Sequence, residues 1–242
     1  MKNRDDIYAI PLDSIGRFEF NEEVVRVFPD MIARSVPGYL SILAMLGEIG
    51  ETHAQPNTNI YDLGCSLGGA TLAIANRVPD SCRIVAVDSS QPMIERLDQI
   101  LEKRNHDRPI IETRADDIRE IEYSNCSLTI LNFTLQFLPV PDRARLLGQI
   151  ASATADNGAI VLSEKICFVD PVQNELIADL HYEFKRANGY SELEIAQKRS
   201  ALENELIPET IENHIERLRS AGFSRATCWF QCFNFASFLA IK

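Results

Sequence analysis

The stretch Asn59-Ile60-Tyr61-Asp62-Leu63-Gly64-Cys65-Ser66-Leu67-Gly68-Gly69-Ala70 limits the possible folds more than any other. It opens apolar, as a buried parallel strand does. It then passes through a glycine-punctuated turn, and Ala70 to Val78 continues in a helical pattern. Such a turn lets backbone approach a ligand closely, and the free N–H groups at the helix start face it. Ser66 stands where the dinucleotide fingerprint expects a second close glycine. The altered spacing suits an adenosine ligand without a pyrophosphate, and S-adenosylmethionine (SAM) is the leading candidate. A glycine turn also serves helix–sheet packing with no ligand, so the rest of the chain has to decide.

A second apolar run, Arg83 to Asp88, ends in an acid. Ser89-Ser90-Gln91-Pro92 then opens a helix, with serines to cap it and a proline in its first turn. Asp88 follows the glycine turn by about 20 residues, the offset of a ribose-binding carboxylate. The alternative is a strand-end cap. Pro109 to Arg114 reads as a third strand, followed by Asp116, Asp117 and Ile118. An acid and an apolar neighbour there suit an adenine edge, although either acid can simply be solvated. Ser127 to Phe133 is a fourth strand with Asn132 near its end, a polar group that needs partners if buried. Gly158 to Glu164 is the fifth strand, after an Asp-Asn-Gly turn. The alternation predicts a doubly wound, mostly parallel sheet. A helix over Ile211 to Ala221 and two closing strands, Thr227 to Phe230 and Phe235 to Ile241, bring it to seven strands.

The flanks read differently. Residues 1–20 form an irregular arm, and Glu22 to Gly50 reads helical with breaks at Pro29 and at Val36-Pro37-Gly38-Tyr39. That places Tyr39 just after a break, as a packed tyrosine or as part of a lid. Between Cys167 and Pro208 lies a mostly helical insertion, with a capping box at Ser191 and Glu194. It carries Lys185, Arg186, Lys198 and Arg199, the only strongly cationic stretch. These cations are either a solvated face or a device for substrate selectivity. One domain over residues 1–242 is expected, with a helical arm at 1–57 and a lid at about 166–208.

The net charge of −11 disfavours direct nucleic-acid binding. No apolar run is long enough to span a membrane. The six scattered cysteines, without histidine partners, predict neither a disulfide framework nor a metal site. A cytoplasmic protein is expected.

The chain resembles the carboxy-S-adenosylmethionine synthase family. The resemblance rests on Tyr61-Asp62-Leu63-Gly64-Cys65-Ser66, Val27 to Ile32, Ser35 to Tyr39, Leu131 to Leu138, Phe184 to Glu192 and Trp229 to Phe235. It implies a class I SAM methyltransferase-like fold that transfers no methyl group. It implies conversion of SAM and prephenate to carboxy-SAM and phenylpyruvate. The product is then the donor with which a tRNA carboxymethyltransferase modifies the wobble uridine. It also implies a homodimer and no metal. SAM or carboxy-SAM contacts are implied at Tyr39, Gly64, Cys65, Ser66, Asp88, Ser89, Asp117, Ile118, Asn132 and Arg199. Arg199 in particular offers a planar fork for the carboxylate. No side chain is singled out as a catalytic base. Two other readings stay open on the residues alone. One is a SAM-dependent methyltransferase acting on tRNA or a small molecule, and the other is a non-catalytic SAM-binding partner of a tRNA-modifying enzyme.

Overall fold

A computed structural model describes residues 4–12, 14–104, 108–203 and 205–242. Residues 1–3 and 13 of the expected arm, and residue 204 of the expected lid, lie outside the described residues. Seven strands form one sheet: β1 (Asn59–Leu63), β2 (Arg83–Asp88), β3 (Ile110–Ala115), β4 (Cys126–Asn132), β5 (Thr154–Lys165), β6 (Arg225–Cys232) and β7 (Phe235–Ile241). Their spatial order is β3-β2-β1-β4-β5-β7-β6. Strands β1 to β5 pair in parallel, whereas β7 runs antiparallel to both β5 and β6. The winding reverses between β1 and β4, so a crevice opens outside the C-terminal ends of these two strands.

Alternation along the strands divides the core between the two faces of the sheet. Tyr61, Leu63, Val85 and Val87 point toward α5 (Val140–Ala153) and α8 (Ile211–Ala221), where Leu146, Leu147, Ile150 and Leu218 are buried. Ile60, Ile84, Leu128 and Ile130 point toward α2 (Tyr39–His53) and α3 (Gly69–Ala75), meeting Ile42, Leu46 and Ile74. Helix α4 (Gln91–Leu101) packs Ile94 and Leu97 on Ala86.

Three local expectations need correction. Pro29 does not interrupt a helix: it lies inside α1 (Glu22–Ser35), which buries Val24, Val27 and Met31 on either side of it. Anchors on both flanks offset the roughly 3 kcal/mol that an interior proline costs. The helical break falls only at Val36 to Gly38, where Gly38 has φ +79° and Tyr39 becomes the first residue of α2. The Asp156-Asn157-Gly158 turn is absorbed into β5 as an irregularity, with Asn157 at φ +62° and a register shift opposite Cys126 and Leu128. Helix α3 ends at Ala75, short of Val78.

Helices α6 (Pro171–Ala187) and α7 (Glu192–Leu202) form the insertion. Its capping box is present, with Ser191 accepting from the Glu194 N–H and Glu194 accepting from the Ser191 N–H. The N-terminal arm is bound to α7. The Gln197 side-chain amide donates to the carbonyls of Tyr8 and Ile10, and its oxygen accepts from the Leu12 N–H.

Candidate functional site

The turn after β1 is built as a ligand cradle. Gly64 sits at φ +76°, and a Cβ there would come within 2.3 Å of the Thr134 hydroxyl oxygen, so only glycine fits. The N–H groups of Gly64 and Cys65 both donate to the Val87 carbonyl at 2.8 and 3.0 Å, which ties the turn to the tip of β2. Ser66 is in the left-handed region at φ +48°. Beneath the turn, buried Asp62 accepts from both the N–H and the hydroxyl of Thr71 and anchors α3. Burial lifts its carboxyl pKa to about 6 against those two donors.

Asp88 takes one amide on each carboxylate oxygen, Ser66 N–H and Ser90 N–H, both at 2.9 Å. Burial raises its pKa and the two amides oppose the rise. Each oxygen retains a lone pair, enough for two hydroxyls of a ribose. Asp117 is held ionised by the Arg119 guanidinium, whose Nη2 donates to it at 2.6 Å. The Asn132 side-chain oxygen is buried and has no hydrogen-bond partner among the described residues. A buried amide oxygen left this way at a strand tip fits a ligand donor in the crevice.

One cavity of about 450 Å³ brings seven of the expected residues together: Gly64, Ser66, Asp88, Ser89, Asp117, Ile118 and Asn132. Tyr39, Cys65 and Arg199 are outside its lining. Tyr39 caps the neighbouring turn, its hydroxyl 2.6 Å from where a Gly69 Cβ would lie. Burial raises its phenol pKa, and Asp62 adds to the rise. Cys65 turns inward onto Ala86, Ile94 and Leu97. Arg199 is exposed on α7. The buried face of α7 is Glu194, Ile195, Gln197, Lys198 and Ala201, and the next position falls about 100° further round a 3.6-residue turn. The guanidinium is close enough for its field to lower the pKa of Lys165, which burial lowers first and which lines the cavity. The cation that α7 turns inward is Lys198.

Sequence reasoning missed part of the wall. Phe18 and Phe20 from the arm, Phe28 from α1, and Phe137 and Phe235 line the cavity, with Phe20 and Phe137 edge-to-face at 5.5 Å. Gln136, Lys165, His181 and Lys185 also line it. Gln136 sits on a short 3-10 turn, Leu135–Phe137. The buried Glu164 carboxylate fixes that turn by accepting from the N–H groups of Leu135 and Gln136 at 3.0 and 2.9 Å. Burial pushes Glu164 up to about 8 against these donors and the field of Arg143. Part of this signal was present in the cationic insertion. Lys185 and Arg186 are adjacent, but Arg186 turns outward and pairs with Glu183 and Glu192.

Residues 60–158 match the family model of a methyltransferase domain. The chain is 53% identical over 243 residues to a carboxy-S-adenosyl-L-methionine synthase of Trichlorobacter lovleyi, covering 100% of this chain and 99% of that one. It is 49% identical to the protein of that name from Aliivibrio fischeri, covering 100% of both. Among solved structures, human N-acetylserotonin methyltransferase in complex with SAM superposes with a TM-score of 0.60 at 15% identity, over 91% of this chain and 55% of that one. Magnesium protoporphyrin IX methyltransferase from Synechocystis with bound SAM gives 0.57 at 15% identity, over 95% and 86%. These two likenesses concern the fold.

Proposed function

Since the chain belongs to the carboxy-S-adenosyl-L-methionine synthase family, we propose that its cavity binds SAM together with prephenate and releases carboxy-SAM and phenylpyruvate. The observation that carries this is the union, in one cavity, of an adenosyl-type turn with an aromatic and cationic far end. Gly64, Ser66 and the paired Asp88 suit the adenosyl half, and the free Asn132 oxygen suits a donor on the ligand. In the reaction, prephenate loses CO₂ and hydroxide, and the hydroxide takes a proton from the sulfonium methyl. The carbon so exposed bonds to the CO₂, leaving water and phenylpyruvate.

The protein's part is confinement and orientation. The aromatic wall of Phe18, Phe20, Phe28 and Phe137 keeps water from quenching the carbanion and CO₂ from escaping. No side chain has to act as base, because the departing hydroxide serves. The carboxylated product is the donor for carboxymethylation of wobble uridine in tRNA by a separate enzyme. The acidic charge of −11 agrees with a role that hands over a small molecule rather than gripping RNA.

The test is incubation with SAM, with and without prephenate, followed by mass spectrometry. Phenylpyruvate and a SAM adduct heavier by one carboxyl group are expected only when prephenate is present. Methyl transfer to an acceptor without that adduct would place the chain with ordinary methyltransferases.

A homodimer is part of the same reading. Val172, Leu176 and Leu180 make an exposed apolar stripe at i, i+4 and i+8 along α6, continued by Val169, which is 87% exposed. A second copy covering that stripe accounts for its exposure. The double substitution V172D/L176D is expected to halve the mass seen by light scattering. An unchanged mass assigns the stripe no role in assembly.

A further inference from the structure

Three lysines converge at one end of the cavity. Lys165 ends β5, Lys185 lies on the last turn of α6, and Lys198 lies on α7. This end is not the ribose end. Strands β2 and β5 are three strands apart, so Lys165 stands about 14 Å along the sheet from Asp88.

Little anionic charge answers the cluster. The Lys198 ammonium donates to Asp5 Oδ2 at 3.3 Å and to the Ser35 hydroxyl at 3.2 Å. Asp5 is also claimed by the Tyr190 hydroxyl, at 2.5 Å. Among the described residues, Lys165 and Lys185 form no ion pair. Lys185 is 8% exposed and Lys198 is 5% exposed, so water screens them poorly. His181, beside them, adds no charge. Its Nε2 faces the Ser35 carbonyl at 2.8 Å, and burial pushes its pKa down to about 3. Burial and the fields of Lys198 and Lys165 bring Lys185 down to about 7. A chain with a net charge of −11 therefore gathers three lysines around one directly bonded carboxylate, Asp5, with Glu194 adding only its field at Lys198, inside a largely apolar wall. Uncompensated buried cations destabilise a fold unless a ligand brings the opposite charge.

We propose that Lys165, Lys185 and Lys198 form the recognition site for a small organic dicarboxylate, the second reactant of this enzyme. The proposal rests on the reading of that reactant as prephenate, and it assigns the carboxylates to this end of the cavity. Two carboxylates match the two lysines that lack partners, while Lys198 is shared with Asp5. The His181 imidazole and the Phe235 ring, 4.9 Å apart, form the apolar side of the same end.

The experiment compares K165M, K185M and the double variant with the wild-type protein. The KM for prephenate is expected to rise about 10-fold in each single variant and about 100-fold in the double, the loss of one and then two charge-assisted contacts. The Kd for SAM is expected to stay within about 2-fold, because Asp88 and the glycine turn are untouched. K185M is also expected to melt at a higher temperature than wild type without ligand, since a buried, unpaired cation is gone. An unmoved KM for prephenate overturns the proposal. So does an equal loss of SAM affinity, and so does a loss confined to carboxy-SAM affinity, which would give the cluster to the product. Thermal shift with malonate as a bare dicarboxylate reads binding without turnover: wild type should be stabilised and the double variant should not. Malonate binding in a protein inert toward prephenate would discard the reaction and keep the dicarboxylate site. Failure of malonate and prephenate alike to stabilise the wild type would discard the site.

Discussion

Asp88→Ala should abolish useful SAM binding. The carboxylate does two jobs at once. It holds the turn by accepting from Ser66 N–H and Ser90 N–H, and it leaves a lone pair on each oxygen for the ligand. Hydrogen bonds to a charged group are worth about 1.5–3 kcal/mol each. Loss of two ribose contacts alone therefore raises Kd at least ~100-fold, at ~1.4 kcal/mol per tenfold. The two amides left without an acceptor loosen Ser66 as well, which adds to the loss. Asp88→Asn keeps the shape but offers one oxygen where two were used, so its effect should fall between wild type and alanine. Isothermal titration with SAM gives both numbers. A Kd within about 3-fold of wild type for the alanine variant would show that Asp88 only caps the turn.

Arg143→Met is expected to be the most destabilising single change, through the same cavity's far wall. Arg143 is fully buried on α5. Its Nε donates to the Leu138 carbonyl at 3.0 Å, and its Nη2 donates to the carbonyls of Gln136 and Ile207 at 3.1 and 2.9 Å. Its Nη1 pairs with Glu209. One guanidinium thus ties the 3-10 turn that presents Gln136 to the chain returning from the lid. Methionine fills similar volume but takes the donor from the Leu138 and Ile207 carbonyls, leaves the Gln136 carbonyl with the Ile207 N–H alone, and leaves Glu209 with Arg217 as its ion-pair partner among the described residues. Breaking a buried charged pair from one side costs about 3–5 kcal/mol. At about 2–4 °C per kcal/mol for a chain of this size, the melting point should fall by roughly 10 °C. Lysine should not rescue it, because a point ammonium cannot reach all four acceptors. Differential scanning calorimetry decides it, and a fall of about 2 °C or less would refute the bracing role.

Much of this was legible in the chain, and the limits have physical causes. Strand tips are legible because an apolar run ending in glycine, aspartate or asparagine marks both the strand and its exposed end. That is why Gly64, Asp88 and Asn132 were found and do share a cavity. Which way a helical cation points depends on one residue of register. Lys198 and Arg199 are equivalent in composition, yet packing of Ile195 and Ala201 turns only the first inward. The phenylalanines of the arm were unreadable for a different reason. Phe18 and Phe20 have no periodic pattern, and their place is set by distant contacts such as the Phe18 N–H to the Ala201 carbonyl. Pro29 misled because a local penalty was read without the tertiary anchors that outweigh it.

Asp5 gives the start of the chain a say in the chemistry. It accepts from Lys198 and Tyr190 through its side chain, while its own N–H donates to Asp30 on α1. Residues 4–12 therefore work as a latch whose bolt is a carboxylate. A substitution at Asp5 is an electrostatic edit to the cavity, felt by a lysine far away in the sequence. Comparisons between preparations of this enzyme are sound only when residues 4–12 are identical in each.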